Sequence, residues 1–197
     1  MTAKTAFVIG NGVSRKGIDL NLLKPHGTVY ACNAVYREFN PDYLVAVDPK
    51  MVFEIDEAGY QYKHNNVWTN NNKRFESLTG LNYFDQSLGW SSGPTALHLA
   101  SQHKHSIIYM LGFDYMGLDA GKRYNNVYAN TKNYMKEHDR ATYYHNWLRQ
   151  TEDILRKYPQ INYCRVILPD NLQTHKLNSF VNYNTMLVDD FQVKLKI

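Results

Sequence analysis

The chain has 197 residues, a formal charge of +4 and a pI near 8.9, a length that fits one domain burying roughly 70 % of its unfolded surface in a single core. Lys and Arg are scattered rather than run together, which excludes a polybasic tract and leaves no nucleic-acid partner expected. Nowhere do about twenty apolar residues stand together, so no transmembrane segment is expected. Cys32 and Cys164 lie far apart and read as reduced thiols, and residues 1–4 run straight into the first strand, so the expected localisation is cytoplasmic.

Residues 6–9 form an apolar run that breaks into Gly10-Asn11-Gly12-Val13-Ser14, the pattern of a buried parallel strand ending in a turn. The two glycines are expected to take positive φ and bring the backbone close to a ligand, with successive N–H groups suited to phosphate oxygens. Asn11 adds an amide that both donates and accepts. The spacing is neither the Gly-x-Gly-x-x-Gly fingerprint nor a P-loop, and an ordinary strand-to-turn junction explains it equally. Residues 15–23 carry Ile18, Leu22 and Leu23 at helical spacing, ended by Pro25-His26-Gly27. Residues 28–32 form a second strand with Asn33 at its exit, as a turn residue or a ligand contact. Residues 43–47 form a third, where Pro49 holds Asp48 extended and displays it at the strand end. Three strands thus deliver Asn11, Asn33 and Asp48 to one edge. Residues 53–89 are the least legible part, with a short strand at 67–69 and a polar loop at 70–74.

Trp90-Ser91-Ser92-Gly93-Pro94 opens a helix running through Ala100, with Ser or Gly at its cap and Pro in its first turn. Its free N–H groups and positive dipole end would suit a phosphate, and simple capping explains the same residues. Residues 106–111 are the clearest strand, and Gly112-Phe113-Asp114-Tyr115 repeats the pattern of small and polar residues at a strand exit. Residues 116–144 are polar, Tyr-rich and interrupted by Gly, the composition of a lid. Residues 145–157 read as a helix with an apolar stripe of Trp147, Leu148, Ile154 and Leu155, stopped by Tyr158-Pro159. Residues 162–168 form the last strand, and the tail 177–197 reads as a strand pair or a surface for a partner, which leaves a homo-oligomer open. The alternation of strand and helix gives an α/β class: a single nucleotide-binding, Rossmann-like domain over residues 1–197, its sheet mostly parallel with helices on both faces. The 16 Tyr enrich it in groups that stack on rings and hydrogen-bond to polar ligands.

Taken in order, Ile9-Gly10-Asn11-Gly12-Val13-Ser14, Cys32-Asn33, Asp48-Pro49, Ser91-Ser92-Gly93, Gly112-Phe113-Asp114-Tyr115 and His145 resemble the bacterial sialyltransferases of glycosyltransferase family 42. More distantly the layout is similar to a Rossmann-like family that includes an archaeal 6-hydroxymethylpterin diphosphokinase. The resemblance spans residues 5–172. It implies transfer of a sugar from a cytidine-monophosphate-linked donor, with no cofactor. Gly10, Asn11, Gly12, Ser14, Asn33, Ser92, Gly93 and Asp114 would line the nucleotide pocket, with Asp48 near the phosphate. His145 would be the general base, a role suited to a side chain that titrates near neutral pH, and Tyr124 would hold the departing phosphate.

The sequence departs from that pattern at three places: Val13 replaces a proline, Asp48 replaces an Asn, and Met116 stands where a second tyrosine is expected. The region 51–91 is shortened, and the basic carboxyl-terminal extension of some members is missing. Two other readings stand beside the transferase. One is a diphosphokinase in which Asp48 and Asp114 hold Mg²⁺. The other is a protein that binds or sequesters a nucleotide without turnover.

Overall fold

The computed structural model describes residues 4–141, 144–171 and 176–197. Eight strands form one sheet: β1 (Thr5–Ile9), β2 (Thr28–Cys32), β3 (Tyr43–Val45), β4 (Val67–Asn70), β5 (Leu81–Phe84), β6 (Ile107–Leu111), β7 (Asn162–Ile167) and β8 (Tyr183–Leu187). Their order is β5-β4-β3-β2-β1-β6-β7-β8, and every neighbouring pair is parallel. Strands covered on both faces read as continuous apolar runs, and those of β1, β2 and β6 are of this kind.

Alternation along β1 divides the core. Phe7 and Ile9 face one layer with Met51, Val52, Ile55 and Phe191, while Ala6 and Val8 face the other with Leu97, Ala100, Ile154 and Leu155. Helices α1 (Pro49–Glu57) and α5 (Val188–Leu195) therefore cover one side, and α3 (Ser92–Gln102) and α4 (His145–Lys157) the other; the short α2 (Tyr60–His64) follows α1. No helix among the described residues is long and apolar enough to cross a membrane.

From β1 the chain steps outward to β5, returns through α3 to the far side of β1, and continues outward through β6, β7 and β8. The carboxyl ends of β1 and β6 thus lie side by side where the connections diverge, the position at which open α/β sheets bind ligands.

Several local expectations change. Residues 15–23 are not an α-helix: the stretch folds as 3₁₀ turns at Val13–Arg15 and Leu20–His26, with Pro25 inside the second rather than ending it. Strand β3 stops at Val45, two residues early. The tail is not a strand pair, because β8 adds in parallel to β7 and runs directly into α5. Region 53–89 holds β5 and the end of α1, whose apolar residues are interrupted by a buried Glu54.

Candidate functional site

The turns leaving β1 and β6 pack directly on one another. Gly10 N donates to Leu111 O at 2.8 Å and Gly12 N to Gly112 O at 2.9 Å. A Cβ on Gly10 would stand 2.6 Å from Gly112 O, and one on Gly12 2.5 Å from the Asp114 carboxylate. Of the three glycines only Gly112 takes positive φ, at +69°; Gly12 is extended at φ −65°. Small residues are required here because two strand exits meet, and neither Gly10 nor Gly12 takes the positive φ expected of it.

The phosphate cradle expected of this turn is also overturned. Val13 N donates to Asn125 Oδ1 at 2.9 Å, Ser14 N to Asp114 Oδ2 at 3.1 Å and Arg15 N to Gly12 O at 3.4 Å. With those at Gly10 and Gly12, five of the turn's N–H groups already have protein acceptors. Ser14 is buried behind the turn and is not among the residues lining the cavity. Arg15, itself buried, clamps the turn from beneath: its Nε donates to Gly10 O at 2.9 Å, and its Nη2 donates to Glu38 at 2.7 Å and to Tyr128 Oη at 2.8 Å.

A cavity of about 610 Å³ opens over these strand ends, and Gly10, Asn11, Gly12, Asn33, Asp48, Ser92, Gly93, Asp114 and Tyr124 all line it. The structure therefore brings together nine of the eleven residues expected at the site. Three of them present buried acceptors that have no partner among the described residues: Asn11 Oδ1, Asn33 Oδ1 and Asp114 Oδ1. Asn33 sits at φ +55°, a left-handed conformation that turns the chain at the exit of β2. Leaving a buried acceptor unsatisfied costs about 1–3 kcal/mol, so three at one cavity describe a place for a ligand rich in hydrogen-bond donors. Asp114 is fixed by the Ser14 bond at its other oxygen and by Arg165 Nη2, which donates to its carbonyl at 3.0 Å.

Asp48 is exposed and caps α1, its Oδ1 accepting from Lys50 N at 3.0 Å, with the extended backbone (φ −79°, ψ 123°) that Pro49 imposes. Asp48 is engaged as a cap and one Asp114 oxygen accepts from Ser14 N; separately, no three His, Cys, Asp or Glu side chains gather into a metal-holding group among the described residues.

The start of α3 is tied to its surroundings at two points. Ser92 Oγ accepts from Val47 N at 3.0 Å, and Ser91 receives Trp147 Nε1 on its Oγ at 2.9 Å while its N donates to Gln150 Oε1 at 3.2 Å. Trp147 lines the cavity. His145, two residues earlier, does not: it is exposed at the first position of α4, its ring stacked on Tyr144 with centroids 4.7 Å apart.

The expected lid lies against the strand ends. Val127 N donates to Asn11 O at 2.8 Å, Arg37 donates to Thr131 Oγ1 at 2.7 Å and to Lys132 O at 2.9 Å, and Asn133 Nδ2 donates to Glu54 at 2.7 Å. Tyr124 faces the cavity, its Oη accepting from Asn126 Nδ2 at 3.0 Å, and burial raises its pKa. Asn125, Tyr134 and Trp147 are site residues that sequence reasoning missed. The Tyr content of the lid and the apolar stripe of α4 were the available signals, and neither identifies a position.

Fold and site together define an open, parallel α/β protein with a polar cavity at the switch point of its sheet. No family model matches the sequence, and no curated protein matches it. Among solved structures the fold is similar to that of the sialyltransferase CstII from Campylobacter jejuni in complex with the substrate analogue cytidine-5'-monophosphate. That match has a TM-score of 0.53 and 16% identity, and covers 98% of this chain and 97% of the other. A mutant of the alpha-2,3/8-sialyltransferase CstII gives a TM-score of 0.48 at 15% identity, covering 90% and 85%. At such identity the likeness establishes the fold.

Proposed function

We propose that the protein is a glycosyltransferase that takes its sugar from a cytidine-monophosphate-linked donor, as a sialyltransferase does. The observation that carries this reading is the trio of unpartnered acceptors on Asn11, Asn33 and Asp114, at the switch point of a fold similar over nearly its whole length to a CMP-bound sialyltransferase. A nucleotide sugar carries hydroxyl and amino groups that would satisfy those acceptors. Its phosphate would meet the start of α3 at Ser92 and Gly93, where N–H groups and the helix dipole favour negative charge. Tyr124, kept protonated by burial, would donate to the phosphate as its bond to the sugar breaks. His145 would work from the rim, taking the proton of an acceptor hydroxyl as that oxygen bonds to the sugar. The acceptor then enters over the amino end of α4 rather than through the nucleotide end.

One observation favours a second reading, a protein that binds a nucleotide without turnover: His145 stands outside the cavity lining. Release of CMP from CMP-sialic acid, with a glycan acceptor and with a chelator present, separates the two. The transferase consumes the sugar donor, and His145→Ala lowers kcat by about 10²–10⁴-fold with nearly unchanged donor affinity. No consumption at any protein concentration supports the binder, and formation of AMP from ATP that requires Mg²⁺ and is unaffected by His145→Ala would support the diphosphokinase-like reading.

A further inference from the structure

The end of the cavity where α3 and α4 meet is built differently from the strand exits. Trp90, Tyr115 and Trp147 line it, and the polar groups around them are spent on one another. Trp147 Nε1 donates to Ser91 Oγ at 2.9 Å, Ser91 N donates to Gln150 Oε1 at 3.2 Å, and Tyr115 Oη shares a hydrogen bond with Thr151 Oγ1 at 2.7 Å. The two tryptophans flank Ser91, since Trp90 precedes it in the chain and Trp147 bonds to its hydroxyl. Both are half-buried and pack against the core layer of Leu97 and Ile154, and the His98 ring meets the Trp90 ring edge to face at 5.7 Å. An indole has one polar group, a donor. With that of Trp147 committed to Ser91, the side chain offers a ligand the carbon surface of a ring whose orientation the bond fixes.

At the strand exits the opposite holds, because Asn11, Asn33 and Asp114 each present a buried oxygen with no partner among the described residues. A ligand filling the cavity would place its hydrogen-bonding groups at the exits and an apolar face against the tryptophans. Cytosine carries donors and acceptors around its edge, which would go unmatched at the tryptophan end. A pyranose ring has a face of C–H bonds, whose weakly positive hydrogens are drawn to the electron-rich face of an indole. Trp147 also stands in the first turn of α4, over whose amino end the acceptor enters. We infer that Trp147, with Trp90 beside it, is the platform on which the acceptor sugar stacks, selecting a pyranose with one uninterrupted C–H face. A β-galactoside is of this kind, because its axial hydroxyl leaves the other face to C–H bonds. The inference rests on the transferase reading of this site and adds to it the residue that selects the acceptor.

The test titrates methyl β-galactopyranoside, with glycerol as the acyclic control, into the whole chain in the presence of CMP. Saturation transfer to the sugar protons and tryptophan emission are followed, and CMP affinity is measured by calorimetry on each variant. Loss of contact with an aromatic face weakens binding about three- to tenfold. Trp147→Leu should lose that factor for the galactoside while its affinity for CMP changes less than about twofold. Trp147→Phe keeps a ring, so it should hold the galactoside within about threefold of wild type yet lose most of the emission change, since Trp68 does not line the cavity. Where Trp147→Leu fails to fold, an emission change undiminished in Trp147→Phe overturns the inference. It is overturned too if Trp147→Leu binds the galactoside as wild type does, if it weakens CMP as much as the galactoside, or if glycerol binds wild type as well as the galactoside. A wild type that binds CMP but not the galactoside overturns the inference alone, and one that does not bind CMP removes the transferase reading and the inference with it.

Discussion

Glu54 is the carboxylate on which the lid and α1 meet, and its removal makes a sharp test of how the cavity is closed. It is 7% exposed and accepts from three side chains on two segments: Tyr36 Oη at 2.7 Å and Arg37 Nε at 2.8 Å from the turn Asn33–Arg37, and Asn133 Nδ2 at 2.7 Å from the lid. Burial works to raise its pKa, but the hydrogen bonds from Tyr36, Arg37 and Asn133 outweigh it and hold the carboxyl below its usual range. Breaking a fully buried pair costs about 3–5 kcal/mol. Arg37 keeps 23% of its side chain in water, so Glu54→Ala should cost about 2–3 kcal/mol at neutral pH. In urea that corresponds to a midpoint lowered by about 1 M. The depressed pKa places this contribution above the ordinary carboxylate range, and it is lost as pH falls through the folded-state value, so the gap between variant and wild type should narrow in acid. Hydrogen exchange over residues 127–134 should quicken in the variant, because Asn133 and the Arg37 contacts to Thr131 and Lys132 lose their anchor. A cost under about 0.5 kcal/mol with unchanged exchange would refute the role given to Glu54.

Gly12→Ala should destabilise the whole fold by about 1–3 kcal/mol, because its Cβ would meet the Asp114 carboxylate and Gly112 O rather than ligand space; a melting temperature within about one degree of wild type would contradict the packing described. His98 is buried, and burial, with Lys157 adding to it, lowers its pKa to about 4. The unfolded chain binds that proton first, so stability should fall by about 3 kcal/mol between pH 6.5 and 4. His98→Leu should remove this part of the slope, and a wild-type-to-variant difference constant across that range in urea melts would show that His98 is not the group responsible.

Much of the fold could be read in the sequence because its central strands are covered on both faces. The runs of β1, β2, β6 and β7, the cap of α3 and the stripe of α4 carry that signal directly. Less legible parts had local reasons. β5 is a half-exposed edge strand, and Glu54 breaks the apolar face of α1 for the sake of partners on the 3₁₀ turn Asn33–Arg37 and the lid. Asp48 read as a ligand-facing carboxylate, and its extended backbone followed from Pro49, yet its side chain caps α1. Nine of the eleven expected site residues do meet at the cavity, since strand exits are marked by small and polar residues. What the turn glycines are for was not legible. Gly12 is small because of Gly112 and Asp114, about a hundred positions away, and no local pattern encodes that meeting. Tyr134 reaches Asn11 across a similar separation.

The most direct test of a nucleotide seated at the switch point is calorimetric titration of CMP, in the presence of EDTA, into wild type and Asp114→Asn. The substitution is chosen because Asn can still accept from Ser14 N with its oxygen while presenting N–H donors where Asp114 Oδ1 now stands unpartnered in the cavity wall. The fold should persist while the polarity of one wall atom reverses. The account predicts that wild type binds CMP and that Asp114→Asn weakens it about tenfold or more with an unchanged melting temperature. No binding to wild type, or equal affinity in the two proteins, would contradict it.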